Sequence, residues 1–183
     1  HWVSSVIQVN KVVDPASIKI TPMFSTEYFF FRGTTGPWAQ PEIRKALLLA
    51  VPWNLIRASY LIPAKTLVFP ISGYPELEGI VKHDPEAAKK NLTEAGITDF
   101  TALPPLVIRI PETNHFQEMA LMLKDAWETL GFTVEIQTLP YTEYYSTLRR
   151  DDYALGVTSW IGDFADPLAF LEMFRPASTL NDS

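Results

Sequence analysis

Two carboxylates, Asp163 and Asp166, stand among aromatic side chains in the run Ser159-Trp160-Ile161-Gly162-Asp163-Phe164-Ala165-Asp166-Pro167. Side chains of this type admit several kinds of chemistry. A fixed carboxylate can hold an ammonium brought in by a ligand, because a charge taken from water into a closed cleft needs an opposite partner. Two carboxylates can run acid–base hydrolysis if their surroundings split their pKa values. A carboxylate can also cap a helix or simply sit solvated in a loop. Asp166 precedes Pro167, which has the look of a first helical position, so Asp166 reads as an N-cap. Asp163 has no such local duty: spacing leaves it open as a ligand anchor, a cap or a loop carboxylate. As a catalytic pair the two would need a raised pKa and a supporting partner, and the sequence supplies neither.

The elements around the run decide where it sits. Tyr153 to Trp160 is apolar and reads as a strand that breaks at Gly162, and Leu168 to Phe174 reads as a helix. A carboxylate just past the C-terminal end of a buried strand lies where open α/β sheets hold ligands. Upstream the alternation is regular: strand Leu106 to Ile110, amphipathic helix Asn114 to Leu130 ending at Gly131, strand Phe132 to Leu139, helix Thr142 to Arg149. In the strand from Phe132, Val134, Ile136 and Thr138 share one face with it, and Thr133, Glu135 and Gln137 the other. This β-α-β-α-β order predicts parallel neighbours joined by right-handed crossovers.

Further upstream, Tyr28 to Arg32 is aromatic and dense and reads as a buried strand. Short β-rich runs, Val6 to Val13 and Ile18 to Thr21, precede it. Helix is expected from about Pro41, with Ile43, Ala46, Leu47 and Ala50 at helical spacing, broken at Pro52; Trp53 to Tyr60 reads as a second helix. Leu61 to Gly79, rich in Pro and Gly, reads as an extended segment crossing the surface. Asp84-Pro85-Glu86 is a strong helix start, and that helix runs to Ala95 before Gly96.

Composition narrows the classes. At 183 residues the chain suits one domain with a real core; 47% apolar and 20% charged residues are ordinary for a globular protein. A net charge of −6 and a pI near 5.0 argue against nucleic-acid binding. Absence of cysteine excludes disulfides, thiolate zinc sites and cysteine nucleophiles. His1, His83 and His115 are scattered, with no zinc-type spacing, and no P-loop, GxGxxG or Gly-x-Ser-x-Gly run occurs, so neither metal nor cofactor is expected. No apolar stretch approaches a transmembrane helix, and no signal peptide opens the chain. A start at His1 rather than Met reads as a processed or excised piece. Trp38, Trp53 and Trp127 read as core or interface anchors, and Tyr141, Tyr144 and Tyr145 as packing residues of a short helix.

Four stretches, taken in order, resemble the family 5 extracellular solute-binding proteins, the oligopeptide- and dipeptide-binding proteins of ABC importers. They are Tyr28-Phe29-Phe30-Phe31, Ile43-Arg44-Lys45-Ala46-Leu47-Leu48-Leu49-Ala50-Val51, the helix from Asp84 to Gly96, and Trp160 to Leu171 followed by Asn181. The helix Met119 to Leu130 with Gly131-Phe132-Thr133-Val134-Glu135 also fits. Arg32-Gly33 stand where that family has Asn-Thr, and Pro52 where it has an acid. The resemblance implies one lobe of a type II periplasmic-binding-protein fold, an α/β domain with a mixed sheet flanked by helices. Residues 26–183 would be lobe 2 of a two-lobe clamp, and residues 1–25 a lead-in from the other lobe.

What the resemblance implies about function is binding without chemistry. The chain would be part of the substrate-binding component of an ABC importer, a monomer in the periplasm or outside the cell, free or lipid-tethered. Its partners would be a short peptide or another small solute and the membrane permease. Asp163 would pair with a peptide's α-amino group. Ser159, Trp160, Ile161 and Gly162 would offer backbone groups to an extended peptide. Trp160 and Phe164 would wall a side-chain pocket. Leu155-Gly156-Val157-Thr158 carry no basic group for a peptide C-terminus. Two rivals stand beside this reading: a hydrolase using Asp163 and Asp166, and a sensory or interaction domain of the same fold without a ligand.

Overall fold

The computed structural model describes Asp14, Ala16, Lys19 and residues 21–33, 35–58 and 62–181. The β-rich runs expected before residue 22, and the end of the second helix at Tyr60, fall wholly or partly outside these residues.

Four strands and six helices make up the described regular structure, with three short 3-10 turns at Pro37–Ala39, Phe100–Ala102 and Glu172–Phe174. β1 is Ser25–Phe31, and α1 (Pro41–Ala50), α2 (Trp53–Ala58) and α3 (Pro85–Glu94) follow it. Then come β2 (Leu106–Pro111), α4 (Asn114–Glu128), β3 (Val134–Leu139), α5 (Tyr141–Ser146), β4 (Leu155–Ile161) and α6 (Leu168–Leu171). α1 begins with Pro41 at N1 and Glu42 in its first turn. It stops at Val51 because the following proline disfavours helical backbone there, and Val51 is extended. Asp84 caps α3, its Oδ1 accepting the Ala87 N–H at 3.0 Å.

The sheet order is β1-β4-β2-β3. β2 runs parallel to β3 in register from Leu106↔Val134 to Pro111↔Leu139, and parallel to β4 at Ile108↔Leu155. β1 pairs antiparallel with β4 from Ser25↔Ile161 to Phe31↔Leu155. The parallel β-α-β-α-β unit expected from the alternation is therefore present, and β1 makes the sheet mixed. The last strand lies inside the sheet, between the first strand and the second.

The main core lies between the sheet and helices α1, α3 and α4. Leu106, Ile108 and Ile110 are fully buried on one face of β2, against Ile43, Ala46 and Leu47 of α1 and Phe116, Ala120, Leu123 and Trp127 of α4. The Trp127 indole N–H donates to the Leu47 carbonyl at 2.9 Å, which ties α4 to α1 inside the core. Trp53 makes the same kind of bond to Leu48 O, and Trp38 packs edge-on to Phe132. All three are anchors, as their type suggested.

Element ends depart from the sequence reading for local reasons. Phe132 is not the first residue of β3. Gly131 takes φ 108°, and the Phe132 N–H turns back to Trp127 O, so this segment closes α4. α5 ends at Ser146 because the Ser146 and Thr147 hydroxyls bond back to the carbonyls of Glu143 and Tyr144. The C-terminal helix is one α turn followed by the 3-10 turn Glu172–Phe174.

Candidate functional site

β4 is held unequally on its two sides. Toward β1 it pairs along its whole length, and the Gly162 N–H extends the pairing by donating to Phe24 O at 2.8 Å. Toward β2 the bridge is at Ile108↔Leu155, and one residue earlier Ala154 N–H donates to Val107 O. Past this point a single phenol takes over the edge. Tyr144, fully buried on α5, accepts the Val157 N–H at 2.8 Å and donates to the Val157 carbonyl at 2.5 Å. Burial pushes this phenol's pKa well above its ordinary value.

Backbone groups in an antiparallel pair turn alternately toward the partner and away from it. Gly162 bonds to β1, whereas Val157 bonds to Tyr144. Ser159 and Ile161 are in phase with Val157, so their N–H and C=O groups face away from β1. Among the described residues no strand pairs with them on that side. Ser159 is exposed and Ile161 is 55% exposed. Tyr145 flanks this edge, bonded to Tyr141 and to Thr158 of β4; burial and the Tyr141 contact push its phenol pKa up.

The loop after β4 presents Asp163 at the C-terminal end of the strand. Asp163 is exposed, and among the described residues its carboxylate has neither a hydrogen-bond donor nor an ion-pair partner. Asp166 is committed elsewhere: its Oδ1 accepts the Leu168 N–H at 2.8 Å and its carbonyl accepts Ala169 N–H, the capping work expected of it. The two acids thus differ in duty although the sequence sets them close together. Trp160 donates its indole N–H to Ala169 O and packs into a second apolar cluster with Phe24, Val68, Phe69 and Phe170. Phe164, expected to wall a pocket with Trp160, is 56% exposed in the loop. A shallow apolar depression of about 260 Å³ lies away from this loop, lined by Lys45, Leu48, Leu49, Glu78, Ile80 and Lys82 among others.

Two residues that sequence reasoning passed over stand at opposite ends of β4. Arg109, in the middle of β2, is 4% exposed. Its guanidinium donates to Gln137 Oε1 at 3.0 and 2.9 Å and to Asp152 Oδ1 at 2.7 Å, and lies 4.5 Å from the Tyr153 ring centre. That contact holds the Asp152 carboxyl below the usual carboxylate range. The signal was available: one arginine inside an otherwise apolar strand has to find partners. Phe24 is the other, and its contact with Gly162 has no signature in sequence spacing.

The sequence profile of the bacterial extracellular solute-binding proteins, family 5 (middle region), matches residues 4–182. The chain is 29% identical over 171 residues to the oligopeptide-binding protein OppA of Bacillus subtilis, covering 87% of this chain and 31% of that protein. It is 27% identical over 179 residues to the probable deoxycholate-binding periplasmic protein YgiS of Escherichia coli, covering 91% of this chain and 33% of that protein. The structure of the Escherichia coli murein tripeptide binding protein MppA superposes with a TM-score of 0.81 at 22% identity, over 96% of this chain and 36% of that one. The chain therefore spans about a third of the length of these relatives, and its fold is that of the type II periplasmic binding proteins.

Proposed function

The chain belongs to the bacterial extracellular solute-binding proteins of family 5, and from that premise we propose that it is lobe 2 of a two-lobe receptor that delivers a short peptide to an ABC importer. Residues 26–183 form the lobe, and residues 1–25 lead in from the other. The receptor works in the periplasm or outside the cell, free or lipid-tethered. It acts by binding alone: solute enters an open cleft, the lobes close on a hinge, and the membrane permease reads the closed form.

One observation carries this reading. The open edge of β4 at Ser159 and Ile161 ends in a loop whose carboxylate, Asp163, has no partner among the described residues. An extended peptide laid on that edge gains backbone hydrogen bonds that ignore side-chain identity. Its α-ammonium then meets the carboxylate at the end of the edge. The exposure of Asp163 fits a cleft half supplied by another lobe. Closure over the pair removes water and strengthens the attraction.

Calorimetric titration of the intact receptor with tripeptides tests this. Asp163→Asn is expected to weaken binding by about 2–5 kcal/mol, the usual effect of truncating one partner of a buried charged pair, with the melting temperature of the unliganded protein unchanged. Equal affinity in the two proteins refutes the anchor. Turnover of the peptide by the wild-type receptor refutes binding without chemistry.

A further inference from the structure

The loop that carries Asp163 is pinned at both ends, and its first pin is an aromatic clamp closed on Gly162. A Cβ built on Gly162 would lie 2.3 Å from Cε1 and 2.6 Å from Cδ1 of Phe24, and 3.1 Å from Cε2 of Phe170. The Phe24 ring is about 1 Å too close for ordinary contact with such a methyl group. It is not free to retreat. It stands edge-on to Phe170 at 5.1 Å and edge-on to Phe69 at 5.2 Å between ring centres. Phe170 is fully buried, and the Phe24 carbonyl holds the Gly162 N–H. At the far end, the Asp166 cap and the Trp160 indole bond to Ala169 fasten the loop to α6.

From this packing we infer that Phe24, Gly162 and Phe170 are positioning residues for the Asp163 carboxylate. The inference rests on the anchor role proposed above. Asp163 follows directly on the clamped residue, so the place of its carboxylate is set before a ligand arrives. Its exposure alone would let the side chain wander, and a fixed backbone limits that motion to side-chain rotamers. A preorganised site tolerates displacements of roughly 0.5 Å, and a methyl group on residue 162 demands about twice that between Phe24 and the residue next to Asp163. The surface-crossing segment takes part in the clamp, because Phe69 and Val68 close the cluster from outside. This part of the chain touches no ligand in the proposal, yet it governs the carboxylate that does.

The test compares four intact receptors: wild type, Asp163→Asn, Gly162→Ala and Phe24→Leu. Each is titrated with a mixed pool of tripeptides bearing free amino termini and with the same pool N-acetylated, and its melting temperature is recorded without peptide. The wild type is expected to prefer the free amine by about 30-fold or more, and Asp163→Asn to lose that preference. Gly162→Ala is expected to reduce the preference at least about tenfold, since the displacement exceeds what such a site tolerates. Phe24→Leu, which opens the clamp without adding bulk, reports in the same direction if Gly162→Ala fails to fold. A merely structural clamp would lower the melting temperature of both variants and leave their amine preference at the wild-type ratio; that result overturns the inference while leaving the anchor intact. A wild type with no amine preference, or with no affinity for the pool, overturns the anchor and the inference together.

Discussion

Replacing Tyr144 by phenylalanine removes one oxygen, and that oxygen serves two backbone groups at once. The Val157 N–H and C=O both bond to it, and Val157 is 1% exposed. Val157 is buried and β2 pairs with β4 only near Leu155, so neither group has a neighbouring strand to turn to. An orphaned buried polar group costs about 1–3 kcal/mol. Two such groups, offset by some relaxation of the strand, give an expected loss of about 2–4 kcal/mol. For a chain of this size that corresponds to a fall in melting temperature of roughly 5–15 °C. Urea unfolding followed by circular dichroism measures it, with an unchanged m-value showing that the unfolded state is not responsible. The phenol adds a pH signature. Burial raises its pKa in the folded protein, so above about pH 10 the unfolded chain releases the proton while the native state keeps it. That contribution is complete below about pH 10 and is lost as pH rises further; Tyr144→Phe should lack this part of the alkaline decline. A destabilisation below about 0.5 kcal/mol, less than a single orphaned group costs, would show that Val157 finds other partners, and the idea of a phenol closing the strand edge would be wrong.

Three further outcomes are expected. Asp152, held to Arg109, has a lowered pKa, so its contribution is present above about pH 4 and fades as pH falls further; Asp152→Asn should lower stability at neutral pH and flatten the acid limb of an unfolding curve. Gly156→Ala places a methyl 2.7 Å from Cζ of Phe30 and 3.0 Å from the Tyr153 ring, and a loss of about 1–3 kcal/mol from overpacking should appear in urea titrations. Asp84→Ala removes the cap from α3, and thermal melts should show a lower midpoint, with Asp84→Ser restoring most of it.

The parts of this fold that read directly from the sequence are those governed by nearest neighbours. α4 announced itself through Phe116, Ala120, Leu123 and Trp127, and α3 through Asp84 and Pro85, because periodicity and capping act within a few residues. Asp166 was legible as a cap for the same reason. What could not be read was set across the chain. Nothing near Leu155–Ile161 says that this strand slips between β1 and β2. Tyr144 looked like any packing tyrosine, because its work lies in an unpaired edge created by strands that diverge. Trp160 read as the wall of a side-chain pocket and packs in part against a satellite core, since its neighbour Phe170 belongs to a helix whose docking no local pattern states. Arg109 was passed over inside its strand, because its partners Gln137 and Asp152 come from two other segments.

The order β1-β4-β2-β3 has a consequence for how the molecule comes into being. Of the four described strands, the one joining the first and second in the sheet comes last in the sequence. Until residues 155–161 arrive, β1 has no neighbour among the described strands and β2 lacks its second one. Pairing of such distant segments pays loop-closure entropy before any contact repays it, so completion of this sheet depends on the far end of this segment. Without that pairing, the aromatic strand Ser25–Phe31 presents an open backbone edge, the kind of edge that other chains can join.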